Sequence, residues 1–266
     1  MADTGAVVHT LAVPEGLEVE IYRRAATPLI GRRVRRALAD ERVAGRAVVD
    51  ALMGVEVLGV ERIGKLLLLD TDGPTVGIHF GMTGRIIVDG VAPIEQLEYG
   101  GRRHDPAWER FVLELDDGGS LRIADPRRWA RVELDPDPTR LGPDVLTIAA
   151  VQLAAVCQGR RRALKAVLLD QALISGLGNL CVDEVLFWAA LHPGRPAGGL
   201  TSVELEALHA AMHARLPVML AEGGSHRGMV SPEVRAVMPA CPLDGTPLER
   251  ATIAGRTTVW CPHHQR

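Results

Sequence analysis

The chain has 266 residues, of which 47% are hydrophobic and 3% aromatic, so it can bury an aliphatic core in one or two domains. It has no run of about 18 apolar residues and no basic leader, which excludes a typical transmembrane helix and a signal peptide. Its net charge of −3 disfavours a nucleic-acid-binding protein on average, although arginines cluster at 32–33, 35–36, 102–103, 127–128 and 160–162. Cysteines without a secretory signal predict a reducing, cytoplasmic location.

The first predicted helix follows residues 1–13, which we expect to be an unstructured tail. Proline and acids at Pro14 and Glu15 are typical of a first helical turn. The apolar stripe of this helix is predicted to consist of Leu17, Ile21, Ala25 and Leu29. Gly31 is expected to end the helix.

From Val34 to about Glu133 the pattern changes to short β-rich runs separated by turns with Asp and Gly. The predicted strands are Val55–Val60, Leu66–Leu69, Val76–Phe80, Ile86–Val88, Phe111–Leu115, Leu121–Ile123 and Val132–Leu134. This spacing predicts a β-sandwich or barrel. Asp135-Pro136-Asp137-Pro138 is predicted as a linker, so we expect a first domain at residues 14–138.

Beyond the linker the chain is predicted to be helical over 139–237, and a small module follows at 238–266. The predicted helices are 150–157, 161–172, 179–190 and 201–220. Two glycines, Gly176 and Gly178, lie just before Asn179, the first residue of the predicted helix 179–190. Backbone amides at such a helix start form an anion site. An ordinary helical hairpin, with glycine only for close packing, is an equally good interpretation of this stretch.

Three blocks of the sequence resemble the formamidopyrimidine-DNA glycosylase and endonuclease VIII family. The blocks are Gly77–Arg85, Asp125–Trp129, and Leu168–Glu184 with His192-Pro193 after it. The resemblance runs from Pro14 to Arg266 and implies an α+β fold. In this fold a β-sandwich with one leading helix precedes a helix–two-turn–helix domain that ends in a β-hairpin zinc finger. It also implies a monomeric bacterial enzyme, associated with the nucleoid, that removes oxidised bases from double-stranded DNA.

The resemblance implies that the amine of Pro14 attacks the sugar carbon that bears the damaged base. Glu15 would protonate the opening sugar, and an α-amino pKa of about 7.7–8.0 leaves a usable fraction of free base at neutral pH. Lys65 and Arg256 match family residues near the lesion phosphate. Glu18 matches a further family acid, and a purely structural role at the helix start is an equal alternative.

The sequence departs from the family because Pro14 is internal, and an amide nitrogen has no nucleophilic lone pair. We favour a true start codon at Val13, with the initiator methionine removed before Pro14. The alternative is a real leader and a catalytically blocked protein that binds DNA lesions or abasic sites. A monofunctional glycosylase that uses water with Glu15 is a third, weaker interpretation.

The resemblance also implies how DNA is held. Met82, Arg127 and Trp129 would fill the gap left by an extruded base, with Trp129 in place of the usual Phe. Core packing is the alternative for Met82 alone, and we expect Arg128 to form a structural ion pair. The remaining predicted DNA contacts, mostly to phosphates, are His104, Arg160, Lys165, Gly178 and Asn179, with the amides of 176–178.

The terminal module keeps the family spacing of two C-x-x-C pairs but changes two of the ligand types. The resemblance implies one structural zinc ion, bound by Cys241, Asp244, Cys261 and His264. His263 is an alternative to His264, and some relatives keep the hairpin without metal. The other two cysteines, expected to be buried apolar residues, are Cys157 and Cys181.

The segment His226–Ala240 is short for the loop that closes over a flipped purine in purine-specific relatives. A reduced loop weakens the case for strict 8-oxoguanine recognition. Ring-opened purines and oxidised pyrimidines therefore remain equally open as substrates.

Overall fold

The computed structural model describes residues 14–94, 105–237 and 240–266. Within these ranges the chain divides into two compact units, one ending at Asp144 and one running from Val145 to Arg266. None of the helices in the described ranges is both long enough and apolar enough to cross a bilayer.

The first unit contains two four-stranded antiparallel sheets and a leading helix. Its helices are α1 (Gly16–Ala26) and α2 (Arg46–Ala51). Its strands are β1 (Val34–Ala39), β2 (Val57–Ile63), β3 (Leu66–Thr71), β4 (Val76–His79), β5 (Arg85–Val88), β6 (Glu109–Leu115), β7 (Ser120–Ala124) and β8 (Arg131–Leu134). The sheet orders are β1-β6-β7-β5 and β2-β3-β4-β8. The predicted α+β class, with an N-terminal β-sandwich, is confirmed.

The two sheets share one apolar core because alternate residues of their strands point inward. In β6, Phe111, Leu113 and Leu115 are all at most 2% exposed. Strand β1 was not among the predicted strands. Its burial does not alternate, because the pairing with β6 shifts register between Val34 and Arg36.

The predicted apolar stripe of helix α1 is only partly confirmed, because Leu17 and Leu29 are each 1% exposed but the other two residues are not buried. Ile21 and Ala25 are only half-buried. The buried apolar residues of α1 are Leu17, Val19, Tyr22 and Ala26. The Tyr22 ring lies 4.6 Å from the Phe80 ring, and its hydroxyl donates to the carbonyl of Gly84 at 3.3 Å. The helix is thereby attached to the loop between β4 and β5.

Arg62 joins α1, β2 and the end of the first unit. Its guanidinium donates to both carboxylate oxygens of Asp144, at 2.5 and 2.8 Å, and contacts Glu20 at 3.3 Å. Burial on its own raises the pKa of Glu20. Hydrogen bonds from Arg23 and Arg24, together with the charges of Arg23 and Arg62, outweigh burial and lower this pKa to about 2. Glu20 is therefore ionised throughout the physiological range.

The second unit is helical and ends in a two-stranded hairpin. Its helices are α3 (Ala150–Cys157), α4 (Leu164–Leu168), α5 (Asn179–Trp188), α6 (Ser202–Ala221) and α7 (Pro232–Val237), and its strands are β9 (Glu249–Ile253) and β10 (Arg256–Trp260). The prediction of one helix over 161–172 is wrong in length. Asp170 instead forms a turn, in which its side chain accepts from Ala172 N at 3.2 Å and its carbonyl accepts from Ile174 N at 3.0 Å. Cys157 and Cys181 are each 1% exposed, as predicted.

Candidate functional site

Two buried carboxylates lie at the start of α1, directly after Pro14. Glu15 is the N-cap residue and is 1% exposed, and Glu18 is 4% exposed. A Glu18 oxygen accepts from the backbone N–H of Glu15 at 2.8 Å, as in a capping box. Burial and the negative charge of Glu18 also raise the pKa of Tyr22, so the phenol remains a hydrogen-bond donor. Glu18 therefore has a structural role in fixing the backbone next to Pro14.

Lys65 lies in the turn between β2 and β3, where Gly64 has a positive φ of 59°. The Gly64 N–H donates to Asp144 at 2.7 Å, which fixes the turn. The next residue, Leu66, pairs with His79 across β3 and β4. Burial and the positive charge of Lys65 lower the pKa of His79, so the imidazole is neutral at pH 7. The charge of Lys65 therefore acts on His79, a residue to which sequence analysis assigned no role.

The buried carboxylate of Asp125 organises two loops at once. It is 0% exposed and accepts a short hydrogen bond from the Thr83 hydroxyl. It also accepts from three backbone N–H groups that follow it in the chain. These donors are Arg127 N at 3.1 Å, Trp129 N at 2.6 Å and Ala130 N at 2.7 Å. One carboxylate thus fixes the loop after β4 and the loop after β7.

These two loops carry the three residues predicted to fill the gap left by an extruded base. Gly81, at φ 61°, lies so close to the backbone of Trp129 that an added Cβ would be 2.6 Å from its carbonyl carbon. The Arg127 guanidinium lies 5.5 Å from the centre of the Trp129 ring, and the Trp129 side chain is 47% exposed. Met82, next to Gly81, is half-buried. The structure therefore brings the loop that carries Met82 against the loop that carries Arg127 and Trp129.

The neighbouring Arg128 has the structural role predicted for it. Its guanidinium pairs with Asp40 at 3.0 Å, and its backbone has a positive φ of 57°.

The turn before α5 lies in the predicted helix–two-turn–helix segment, but its polar groups bind within the protein. Gly176 has a φ of 102° and Gly178 is the N-cap residue of α5. The Gly176 N–H donates to the Gln171 side chain at 3.0 Å, so it is not available for a phosphate. The Asn179 amide donates to the Thr257 carbonyl at 3.0 Å, and its buried Oδ1 has no partner within the described ranges. Asn179 thus connects α5 to the hairpin.

One predicted phosphate contact in this unit is contradicted by burial. The Lys165 side chain is 0% exposed, and its Nζ lies 2.6 Å from Asp183, so it cannot reach a phosphate in solvent. Arg160 is half-buried, and its Nε donates to the Val156 carbonyl at 2.6 Å. Its role as a DNA contact stays a prediction. The predicted contact His104 lies outside the described residues.

Arg256 lies at the tip of the β9–β10 hairpin. The two tip residues, Ala254 and Gly255, have positive φ values of 54° and 71°, which form a tight turn. Arg256 is exposed, and among the described residues its guanidinium donates only to the Gly255 carbonyl, at 3.4 Å. This exposed cation is therefore available to an anionic ligand.

The ligand atoms of four residues in the terminal module lie within 4.8 Å of one another, and these residues are Cys241, Asp244, Cys261 and His264. The Cys241 Sγ to His264 Nδ1 distance is 3.5 Å, and the Cys261 Sγ to Asp244 Oδ2 distance is 3.4 Å. With metal–ligand bonds of about 2.0–2.3 Å, a tetrahedral site has ligand–ligand distances of roughly 3.3–3.8 Å. The cluster therefore has suitable dimensions and donors for a metal ion.

The surroundings favour His264 over His263 as the fourth ligand. His264 Nε2 lies 3.0 Å from the Phe187 carbonyl, and its ring packs edge-on against Phe187 at 4.6 Å. A proton on Nε2 leaves Nδ1 as the metal-binding atom. The His263 side chain is 63% exposed and contacts only the outer side of the cluster, through Asp244 at 3.0 Å.

Comparison with known proteins adds the following findings. Two family models match: the formamidopyrimidine-DNA glycosylase N-terminal domain at residues 13–132 and the formamidopyrimidine-DNA glycosylase H2TH domain at 139–229. The formamidopyrimidine-DNA glycosylase of Geobacillus kaustophilus is 34% identical over 96% of this chain and 100% of its own length. The crystal structure of the MutM (Fpg) protein from Thermus thermophilus matches with a TM-score of 0.77 at 32% identity, over 95% of this chain and 98% of that one. A complex between Lactococcus lactis Fpg and DNA containing an abasic site has a TM-score of 0.77 at 23% identity, over 95% and 99% of the two chains, which supports the fold alone.

Proposed function

The chain belongs to the formamidopyrimidine-DNA glycosylase family, and we propose that it is a bifunctional enzyme, a DNA glycosylase that is also an abasic-site lyase. It acts in base-excision repair, on double-stranded DNA that contains an oxidised base or an abasic site. The names of its relatives support this substrate class. We propose that it works as a monomer on chromosomal DNA in the bacterial cytoplasm.

The observation that carries this proposal is the double attachment made by Asp125. A glycosylase must extrude a nucleotide, which costs a few kcal/mol, and must stabilise the gap that remains. Asp125 fixes the two loops that carry Met82, Arg127 and Trp129, which supports a joint role for these three residues. A thioether can fill an irregular gap, an arginine can pair with the orphaned base, and an indole can stack.

The proposed chemistry starts from the amine of Pro14 in the form of the protein that begins there. The amine attacks C1′ of the damaged nucleotide, the bond from C1′ to the base breaks, and the base leaves. Glu15 donates a proton to the ring oxygen as the sugar opens, and an iminium joins Pro14 to the sugar. Loss of a C2′ proton then expels the 3′ phosphate, and a second elimination expels the 5′ phosphate. The Glu18 hydrogen bond supports this assignment because it fixes the backbone that carries both groups.

Phosphate binding is proposed for Lys65 in the first unit and for Arg256 in the second. Lys65 lies beside the neutral His79, which adds a polar group without adding charge. Arg256 is exposed at a hairpin tip with no carboxylate partner among the described residues. Contacts of this kind position DNA without reading its sequence.

We propose that the terminal cluster binds one structural zinc ion. Two thiolates, one carboxylate and one imidazole at these separations suit zinc, which would hold the ends of the module together. The ion has no part in the chemistry. Its effect is to stabilise the hairpin that carries Arg256.

The experiment that tests this function offers a panel of single-lesion duplexes to protein beginning at Pro14. The panel contains 8-oxoguanine, a ring-opened purine, an oxidised pyrimidine and an abasic site. We expect release of at least one damaged base and cleavage of the abasic strand, and loss of both in Glu15→Gln. Tight lesion binding without any cleavage would support the non-catalytic binding protein. Base release without strand cleavage would support the monofunctional enzyme.

A further inference from the structure

Three fully buried charged side chains from three helices meet in the second unit. Lys165 on α4, Asp183 on α5 and Arg235 on α7 are each at most 1% exposed. One Asp183 oxygen lies 2.6 Å from Lys165 Nζ and the other lies 2.7 Å from an Arg235 nitrogen. We call these three residues the triad.

The triad binds the free edge of strand β10. The Thr257 carbonyl accepts from three side chains, namely Lys165 Nζ at 3.3 Å, Asn179 Nδ2 at 3.0 Å and Arg235 Nη1 at 3.3 Å. The Val259 N–H donates to Asp183 at 3.2 Å. In a strand these two groups point to the same side, so the triad takes the place of a neighbouring strand.

A triad of this kind is expensive to keep for stability alone. Removing charges from water carries a penalty, and apolar residues of similar volume often stabilise a fold as well or better. This cost makes a role in orienting a neighbouring group the better explanation.

The group next to Thr257 is Arg256, the exposed cation at the hairpin tip. Arg256 has no side-chain partner among the described residues, so its direction depends on the backbone that carries it. That backbone is fixed at Thr257 and Val259. We propose that Arg235, Lys165 and Asp183 are positioning residues for Arg256. They act by holding the edge of β10, so that the guanidinium is directed at a DNA phosphate. This inference rests on the proposed function.

The test measures binding of a duplex with a tetrahydrofuran abasic-site analogue by fluorescence anisotropy, over a range of salt concentrations. Each lost phosphate contact lowers the slope of log Kd against log salt by about 1. Arg256→Ala should lower this slope by about 1 and weaken binding on the order of tenfold. Arg235→Met should do the same in the wild-type background. In the Arg256→Ala background, Arg235→Met should change Kd by less than about twofold, because the contact is already lost.

Two further variants separate positioning from folding. Arg215→Met is the matched control, since Arg215 pairs with Glu184, the residue after Asp183, at 3.5 Å and lies over the Trp188 ring. It should leave the salt slope unchanged. If Arg235→Met does not fold by circular dichroism, Arg235→Lys replaces it. Lysine keeps the charge but cannot reach Asp183, Thr257 and Val230 together, so the slope should still fall.

Several outcomes would overturn the inference. If Arg235→Met weakens DNA binding equally in the wild-type and Arg256→Ala backgrounds, Arg235 acts independently of Arg256. If folded Arg235→Met keeps the wild-type salt slope, the triad serves stability only. The same conclusion holds if Arg235→Met is unfolded and Arg235→Lys binds DNA like the wild type. If Arg256→Ala itself changes neither Kd nor slope, the proposed phosphate role of Arg256 fails instead.

Discussion

Replacing Asp125 by alanine tests how the Met82 and Trp129 loops are held. Two of its four hydrogen bonds, from the Thr83 hydroxyl and Ala130 N, are buried. The amides of residues 127 and 129 are partly exposed and can bind water instead. Because each buried donor left without a partner costs about 1–3 kcal/mol, Asp125→Ala should lower the free energy of unfolding by about 2–6 kcal/mol.

The assay is urea unfolding followed by tryptophan fluorescence, paired with cleavage of an abasic duplex at urea concentrations where each variant remains folded. Thr83→Val is the control, because it removes one donor and leaves Asp125 with its three amides. Thr83→Val should lower the free energy of unfolding by about 1 kcal/mol and keep most of the cleavage activity. Folded Asp125→Ala should cleave poorly because its loops are no longer fixed. The reasoning would be refuted if Asp125→Ala lowered the free energy of unfolding by less than about 1 kcal/mol, or if folded Asp125→Ala cleaved the duplex fully.

Two other predictions concern metal and pH. Purified protein should contain about one zinc ion per chain. Metal analysis should show that Cys261→Ser and His264→Gln lose the zinc and that His263→Gln keeps it. If His264→Gln keeps the zinc and His263→Gln loses it, His263 is the ligand instead of His264. Because the pKa of Glu20 falls from an ordinary 4.5 to about 2 on folding, its stabilisation is complete above pH 4.5 and is lost as the pH falls towards 2. Urea midpoints measured from pH 6 to pH 2.5 should therefore fall less steeply for Glu20→Gln than for wild type, and parallel curves would contradict the assignment.

Sequence reasoning succeeded where a recognisable pattern of residues carries the information. The cluster of Cys241, Asp244, Cys261 and His264 was implied by the family resemblance, and the described structure brings these four ligand atoms together. The strands β2 to β8 were predicted from short β-rich runs between turns, which a single segment reveals. Strand β1 was not predicted, and its burial pattern is irregular because its pairing with β6 shifts register.

It failed where a role depends on a partner that no local pattern indicates. The family resemblance implied that Lys165 binds phosphate, but its side chain is buried against Asp183, which lies on another helix. Asp125 lies within one of the family blocks, yet nothing local indicates that it also binds Thr83, forty-two residues before it. The same limit applies to Arg235, whose acceptors are Asp183 and Thr257.

The central claim is that the ring nitrogen of Pro14 forms the covalent bond to the sugar. The most direct measurement traps protein on abasic duplex with borohydride, digests the adduct and locates the attached sugar by mass spectrometry. The chain has two lysines, Lys65 and Lys165, so the competing side-chain amines are few. For protein beginning at Pro14, the account predicts attachment to the peptide that starts with Pro14. Attachment at Lys65, or equal trapping by the chain that keeps residues 1–13, would contradict it.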